Sequence, residues 1–259
     1  MVTCITMVNN SCQQEEEWRK IFNGENLDNW EMNLGTSLGS NFDSLAAQAT
    51  VDKVFSIAEK EGEKIIRISG EINGSLATKE TFSNYHLRMV FKWGETVFSS
   101  RNSGLLYHSF GDFGVTHGTW MTNIEFQLKH ENIGDTYLMV NTCCETAARK
   151  DEEKDMFFYT PGAEIMAFGE HANGKSIKKS QNAENPLGEW NTLDLFCFGT
   201  KAVHVVNGVT VMVNNNTGVF ENGVVKPLSE GKIQLQSEGA ELYIKSMDIR
   251  NIKSLPESI

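Results

Sequence analysis

Alternation of apolar and polar side chains dominates this chain, and residues 123–130, NIEFQLKH, carry it most clearly. Ile124, Phe126 and Leu128 alternate with Glu125, Gln127 and Lys129. A strand points successive side chains to opposite faces, so the segment reads as a strand with one apolar face and one face of acid, amide and ammonium. The apolar face belongs on a core. The other is either a solvated surface or the wall of a polar groove, and the residues alone leave both open.

The same period recurs in VDKVFSIA (51–58), KIIRISG (64–70) and YHLRMVFKW (85–93), all rich in β-branched or aromatic residues. Asn-Gly pairs at 23–24, 73–74, 173–174, 207–208 and 222–223 supply the positive φ angles that tight hairpins demand. In VHVVNGVTVM (203–212), Asn207-Gly208 predicts a two-residue type I′ turn. Two further alternating strands, GKIQLQSEG (231–239) and AELYIKSMDIRNI (240–252), follow. Residues 44–49 predict the one short helix. Short strands with almost no helix between them indicate an all-β, antiparallel β-sandwich. No fixed-period repeat is present, which argues against a propeller.

Residues 144–189 break the pattern with a charge run, RKDEEKD (149–155), then Pro161-Gly162, a Gly- and Lys-rich stretch and Pro186. They read as a long irregular insertion, serving as a lid or binding loop or as surface decoration. The segment is too short and too polar for a separate domain. One domain is therefore expected over residues 18–254, with residues 1–17 as a leader or tether.

Composition narrows the partners. A formal net charge of −11 over 259 residues speaks against nucleic acid, whose phosphates need a basic surface. It suits a neutral or cationic ligand, although solubility alone accounts for it equally well. No apolar run approaches the roughly 20 residues of a membrane span. The five cysteines, Cys4, Cys12, Cys143, Cys144 and Cys197, form no CxxC pair, so neither a structural zinc site nor a disulfide framework is indicated. Residues 2–8, VTCITMV, are mildly apolar, and a small residue precedes Cys12 ahead of the acidic QQEEE. That arrangement is similar to a bacterial lipoprotein cleavage site, although Asn9 and Asn10 depart from it and no Lys or Arg precedes Arg19. A lipidated Cys12 would attach the protein to a membrane and place it as a periplasmic, outer-membrane or secreted protein. A leader that is no export signal would leave it cytoplasmic.

Several chemistries lack their motifs. There is no G-x-S-x-G, no GxxxxGK[ST], no GxGxxG after a strand and no HExxH. A two-carboxylate sandwich glucanase carries both acids on one strand as E-x-D-x-x-E, whereas here Gln127 stands at the second carboxylate position and Glu125 is the strand's only acid. A Glu125/Glu238 pair from separate strands stays open. Gln234, Gln236 and Glu238 share one face of their strand, so two strands each offer an amide and a carboxylate, groups suited to sugar hydroxyls. His117, in the loop GDFGVTHGTW (111–120), and His204, on the hairpin, are the histidines to inspect. A histidine–carboxylate site for a divalent metal ion is possible without being indicated by spacing.

Taken in order, IFNGENLDNW (21–30), RNSGLLY (101–107), IEFQ (124–127), NIGD (132–135), GEWN (188–191), VVNG (205–208) and GKIQLQSEG (231–239) resemble the 3-keto-disaccharide hydrolase domain family. The resemblance spans roughly residues 18–252 and implies a concanavalin A-like jelly roll. It also implies cleavage of glycosides already oxidised at C3, with a sugar 3-dehydrogenase as functional partner. A C3 ketone acidifies the C2 proton, so one base can form an enediolate that expels the C1 substituent, after which water adds at C1. Such a site needs a base, a positive group for the enolate oxygen and a proton donor, and no carboxylate pair.

The resemblance implies Glu125 as base or metal ligand and Gln127 as substrate contact from the E-x-Q strand. It implies Arg101 and Asn102 as enolate or hydroxyl contacts, and His204 as proton donor. Gln236 and Glu238 match its last motif, although many members carry His where Glu238 stands. Lys129 and His117 complete the candidate substrate contacts. A bound divalent metal would stabilise the enolate more than Arg101 alone. Two alternatives remain: a non-catalytic, lectin-like module, because fold does not give function, and a glycosidase using Glu125 and Glu238.

Overall fold

The structure, a computed structural model, describes residues 16–257. Cys4, Cys12 and most of the leader therefore lie outside the described residues. Two antiparallel sheets pack face to face. The larger runs from Met156–Tyr159 through Thr142–Asp151, Val209–Glu221, Lys201–Val206, Asn191–Phe198, Tyr85–Val97, Ala240–Asn251 and Glu63–Ile68 to Phe55–Lys60. The smaller runs from Ser176–Ile177 through Thr136–Leu138, Thr122–Gln127, Gly104–Phe110, Glu230–Ser237 and Gly74–Thr78 to Trp30–Leu34. Half of the neighbouring pairs in the larger order and most in the smaller join strands that do not follow one another in sequence, as in a jelly roll rather than a meander.

Parity builds the core. Leu87, Met89 and Phe91 of one sheet face Leu105, Tyr107, Ile124, Phe126, Ile233 and Leu235 of the other, all without solvent exposure. Burying each large apolar side chain contributes about 1.5–3 kcal/mol. On Lys201–Val206, Ala202 and Val206 enter this core, whereas Val203 and Val205 join Phe196 in a small cluster on the opposite face.

Asn207 and Gly208 have φ 48° and 81°, the two positive values that a type I′ turn requires. The helical turn expected at 44–49 lies at Asp43–Ala46. Residues 51–58 are only partly strand, because Val51–Val54 form a further helical turn and the strand begins at Phe55. That turn, held by Val54 N to Thr50 O at 3.0 Å, lets Val54 bury completely just before the strand pairs Phe55 with Ile68. Within 144–189 the chain contributes ordered sheet. Thr142–Asp151 pairs with Val209–Glu221, and both Met156–Tyr159 and Ile165–Phe168 pair back onto it. Its charge run is the solvent end of that long strand.

Candidate active site

Three neighbouring strands of the smaller sheet build the site on the face turned away from the core. Gly104–Phe110 lies in the middle, flanked by Thr122–Gln127 and Glu230–Ser237. Glu125 is opposite Leu106, which is opposite Gln234, so these three share a row and a face. Gln127 is opposite Gly104 in the next row. Ser103 ties the three strands together at this end. Its carbonyl accepts from Leu128 N at 2.9 Å, and its hydroxyl donates to Gln236 O at 2.8 Å. One step earlier, Arg101 O accepts from His130 N at 3.0 Å.

Gly104 leaves a notch that its neighbours fill. A Cβ built there would stand 2.5 Å from Gln236 Oε1 and 2.7 Å from Glu125 Oε1. Both oxygens are buried and have no hydrogen-bond partner among the described residues; Arg101 Nε and Asn102 Oδ1 are in the same condition. Native interiors pair nearly all buried polar atoms, so the two stranded oxygens that meet over Gly104 mark where a ligand's donors belong.

The carboxylates make the point sharper. Other buried acids of this chain are supplied with donors. Asp135 accepts from Lys178 Nζ at 2.8 Å and from Lys179 N at 2.8 Å. Glu184 accepts from Glu131 N, Ile133 N and Lys179 Nζ at 2.8, 3.0 and 2.9 Å. Asp194 accepts from Arg88 Nε at 2.7 Å, and Glu241 accepts from Arg67 Nε at 2.7 Å. Glu125, only 2% exposed, is not so provided. Burial, followed by the charges of Glu238 and Asp135, pushes its pKa well above the ordinary carboxylate range. Glu238 is half-buried. Burial raises its pKa to about 7, while the charge of Lys129 and a hydrogen bond from Asn102 pull the other way.

The structure thus brings Glu125 and Gln236 together over Gly104, with Asn102 and Lys129 set against Glu238, whose charge reaches Glu125; Arg101 is tied to this end through its backbone carbonyl. Gln127 reaches the same edge, but its Oε1 is committed to a turn, accepting from Lys129 N at 2.7 Å. The strand ends at Gln127, so Lys129 is exposed through that turn and not through continued alternation. His117 is exposed on the loop that folds over the far part of this face.

His204 is not brought here. It points into the core, fully buried and stacked on Phe126, on the opposite side of the strand from Glu125. Nδ1 lies 3.1 Å from Gly134 O and Nε2 lies 3.2 Å from Tyr107 Oη. Burial lowers its pKa to about 3, so it is a neutral structural ring and the proton-donor expectation is corrected. Parity is the reason: Ala202, His204 and Val206 form the inward set of their strand.

Sequence reasoning missed two parts. Gly104 carried no site signal of its own within RNSGLLY (101–107). The loop 111–121 was not seen as a wall. In the structure Thr119 O accepts from Asn33 Nδ2 at 3.0 Å and Trp120 Nε1 donates to Gly74 O at 2.8 Å. Met121 N donates to Gln234 Oε1 at 3.3 Å. Among the described residues, no group of three or more His, Cys, Asp or Glu is disposed to hold a metal ion.

Comparison with known proteins bears on this geometry. A candidate glycosyl hydrolase of Parabacteroides distasonis superposes with TM-score 0.50 at 16% identity, covering 91% of this chain and all of that one (100%). A second from the same organism gives TM-score 0.49 at 17% identity over 91% and 94% of the two chains. A carbohydrate-binding module of Bacillus subtilis, CBM66, gives 0.44 at 11% identity over 86% and 96%. The first of these likenesses speaks to fold. No curated protein matches the chain. The sequence model of the 3-keto-alpha-glucoside-1,2-lyase-like domain matches residues 17–253, nearly all of the described residues, and this chain belongs to that family.

Proposed function

We propose that this protein cleaves 3-keto-glycosides at C1, by elimination across C1–C2 with or without subsequent hydration. The observation that carries the reading is Glu125, a buried carboxyl group with no provided donor, beside the equally stranded amide oxygen of Gln236 over Gly104. Perturbed acids in such settings concentrate at functional sites. Family membership supports the substrate class. The chemistry asks little of the protein: one proton acceptor, one donor and a positive group near the enolate oxygen. Glu125, Glu238 and Arg101 can supply these, with Asn102 and Gln236 holding hydroxyls. The ketone must come from a dehydrogenase that oxidises C3 beforehand. Export through a lipidated Cys12 belongs to the same proposal, because glycans are met outside the cell.

The test incubates purified protein with a 3-keto-glucoside and with its unoxidised parent, each with and without chelator. Aglycone release from the keto sugar alone is the expected result, and the chelator arm reads whether an ion takes part. Release from the parent would instead favour a two-carboxylate glycosidase. Binding of either sugar without any release would favour a lectin-like module.

A further inference from the structure

We infer that the two carboxyl groups of this site divide the work, with Glu125 as the proton donor and Glu238 as the base that removes the C2 proton. The inference rests on the proposed 3-keto-glycoside reaction and deepens it. It also reverses the expectation that Glu125 is the base.

Geometry separates the two acids. Glu125 is 2% exposed, and its Oε1 accepts no hydrogen bond among the described residues. The oxygen that shares the notch above Gly104 with it belongs to the Gln236 amide. An ionised Glu125 would set acceptor against acceptor, whereas a protonated one donates. The charges that face Glu125 are the carboxylates of Glu238 and Asp135, both of its own sign. Asp135 accepts from the Lys178 ammonium and from the Lys179 backbone N–H, so that ammonium is already committed.

Glu238 sits differently. It is half-buried, receives a hydrogen bond from Asn102 and faces the exposed ammonium of Lys129. Burial outweighs those contacts and raises its pKa to about 7, while the contacts keep it from rising further, so near neutral pH the ionised form is accessible. Two acids whose surroundings push them apart are the usual sign of an acid and a base sharing one site.

The steps balance. Glu238 takes the C2 proton, and the C–H electron pair forms the enolate of the C3 ketone. The enolate re-forms the ketone as C1=C2 forms and the C1–O bond breaks. The departing oxygen keeps that electron pair and receives the proton of Glu125. Water then adds its oxygen to C1 and gives a proton to ionised Glu125, while Glu238 returns its proton to C2. Both groups end as they began.

The experiment follows exchange of the C2 hydrogen in deuterium oxide separately from aglycone release, using a methyl and a nitrophenyl 3-keto-glucoside. With Glu238→Gln, exchange and release fall together for both substrates, by about 10²–10⁴-fold. With Glu125→Gln, methyl release falls by that factor. C2 exchange continues in that variant, and release of nitrophenolate, which leaves without a proton, is affected least. Loss of C2 exchange in Glu125→Gln equal to that in Glu238→Gln would overturn the assignment, as would exchange surviving in Glu238→Gln. Urea midpoints at or above that of wild type exclude misfolding as the cause. Wild-type protein that neither exchanges C2 nor releases aglycone sinks the parent reading instead. The protonation state is then read without turnover, by the infrared difference between wild type and Glu125→Gln at neutral pH. A protonated-carboxyl band supports Glu125 as the acid, and a carboxylate band refutes it.

Discussion

The rings of Phe126 and His204 lie face to face, with centroids 4.1 Å apart and planes inclined by 9°. They come from opposite sheets, so the pair bridges the sandwich one residue away from Glu125. Replacing His204 by Ala removes the stack and leaves Gly134 O and Tyr107 Oη each short of a partner. We expect a loss of about 2–4 kcal/mol in urea unfolding. Turnover per folded molecule should stay near wild type, where a proton donor's removal would lower it by orders of magnitude.

Gly104→Ala tests the notch directly. Its Cβ would displace Gln236 Oε1 and Glu125 Oε1 from 2.5 and 2.7 Å. Gly104 lies in a strand without a positive φ, so the backbone tolerates Ala. Stability should change by less than about 1 kcal/mol. Activity on a 3-keto-glucoside should drop by about 10²-fold, as expected when reacting groups shift by an ångström. An Ala variant of full activity would mean that these two oxygens do not touch substrate.

The protonation of Glu125 has a consequence for stability. Its folded-state pKa is raised from the ordinary 4.5 by burial first, then by Glu238 and Asp135. The fold therefore holds a proton that the unfolded chain releases. Its contribution is fully present below pH 4.5 and is lost as pH rises towards the folded value. Glu125→Gln removes this dependence. The variant's advantage in urea midpoint over wild type should grow with pH, by up to about 1.4 kcal/mol per unit. An advantage that shrinks with rising pH would show Glu125 to be ionised in the fold.

Glu184 offers a control. Its side chain is 4% exposed and holds the 129–134 turn through Glu131 N and Ile133 N, besides pairing with Lys179. Glu184→Ala leaves the buried Lys179 ammonium with Asn182 Oδ1 as its remaining partner and strips two turn amides of their acceptor, at about 3–5 kcal/mol. Thermal unfolding should shift accordingly.

Strand parity made much of this legible in advance. The alternation of NIEFQ is a local property, and it separated Glu125 from Phe126 correctly. Asn207-Gly208 likewise carries its turn in its own φ preferences. His204 was not legible, because Ala202, Val203, Val205 and Val206 are all buried and both faces of that strand look apolar. Residues 144–151 read as irregular because their charges sit at the far end of a strand whose inner part, Cys144 and Thr146, is buried against Asn214. Lys129 sits beyond the strand's end, in a turn that only the Gln127 side chain betrays. Where the outcome depended on which segments meet, as with Trp120 above Gly74, pattern alone could not supply it.

The Asn33–Thr119 and Gly74–Trp120 bonds pin the 111–121 loop onto one flank of the smaller sheet. Both anchors lie on neighbouring strands, so loop and flank move as one piece, and lifting the loop requires both bonds to break together.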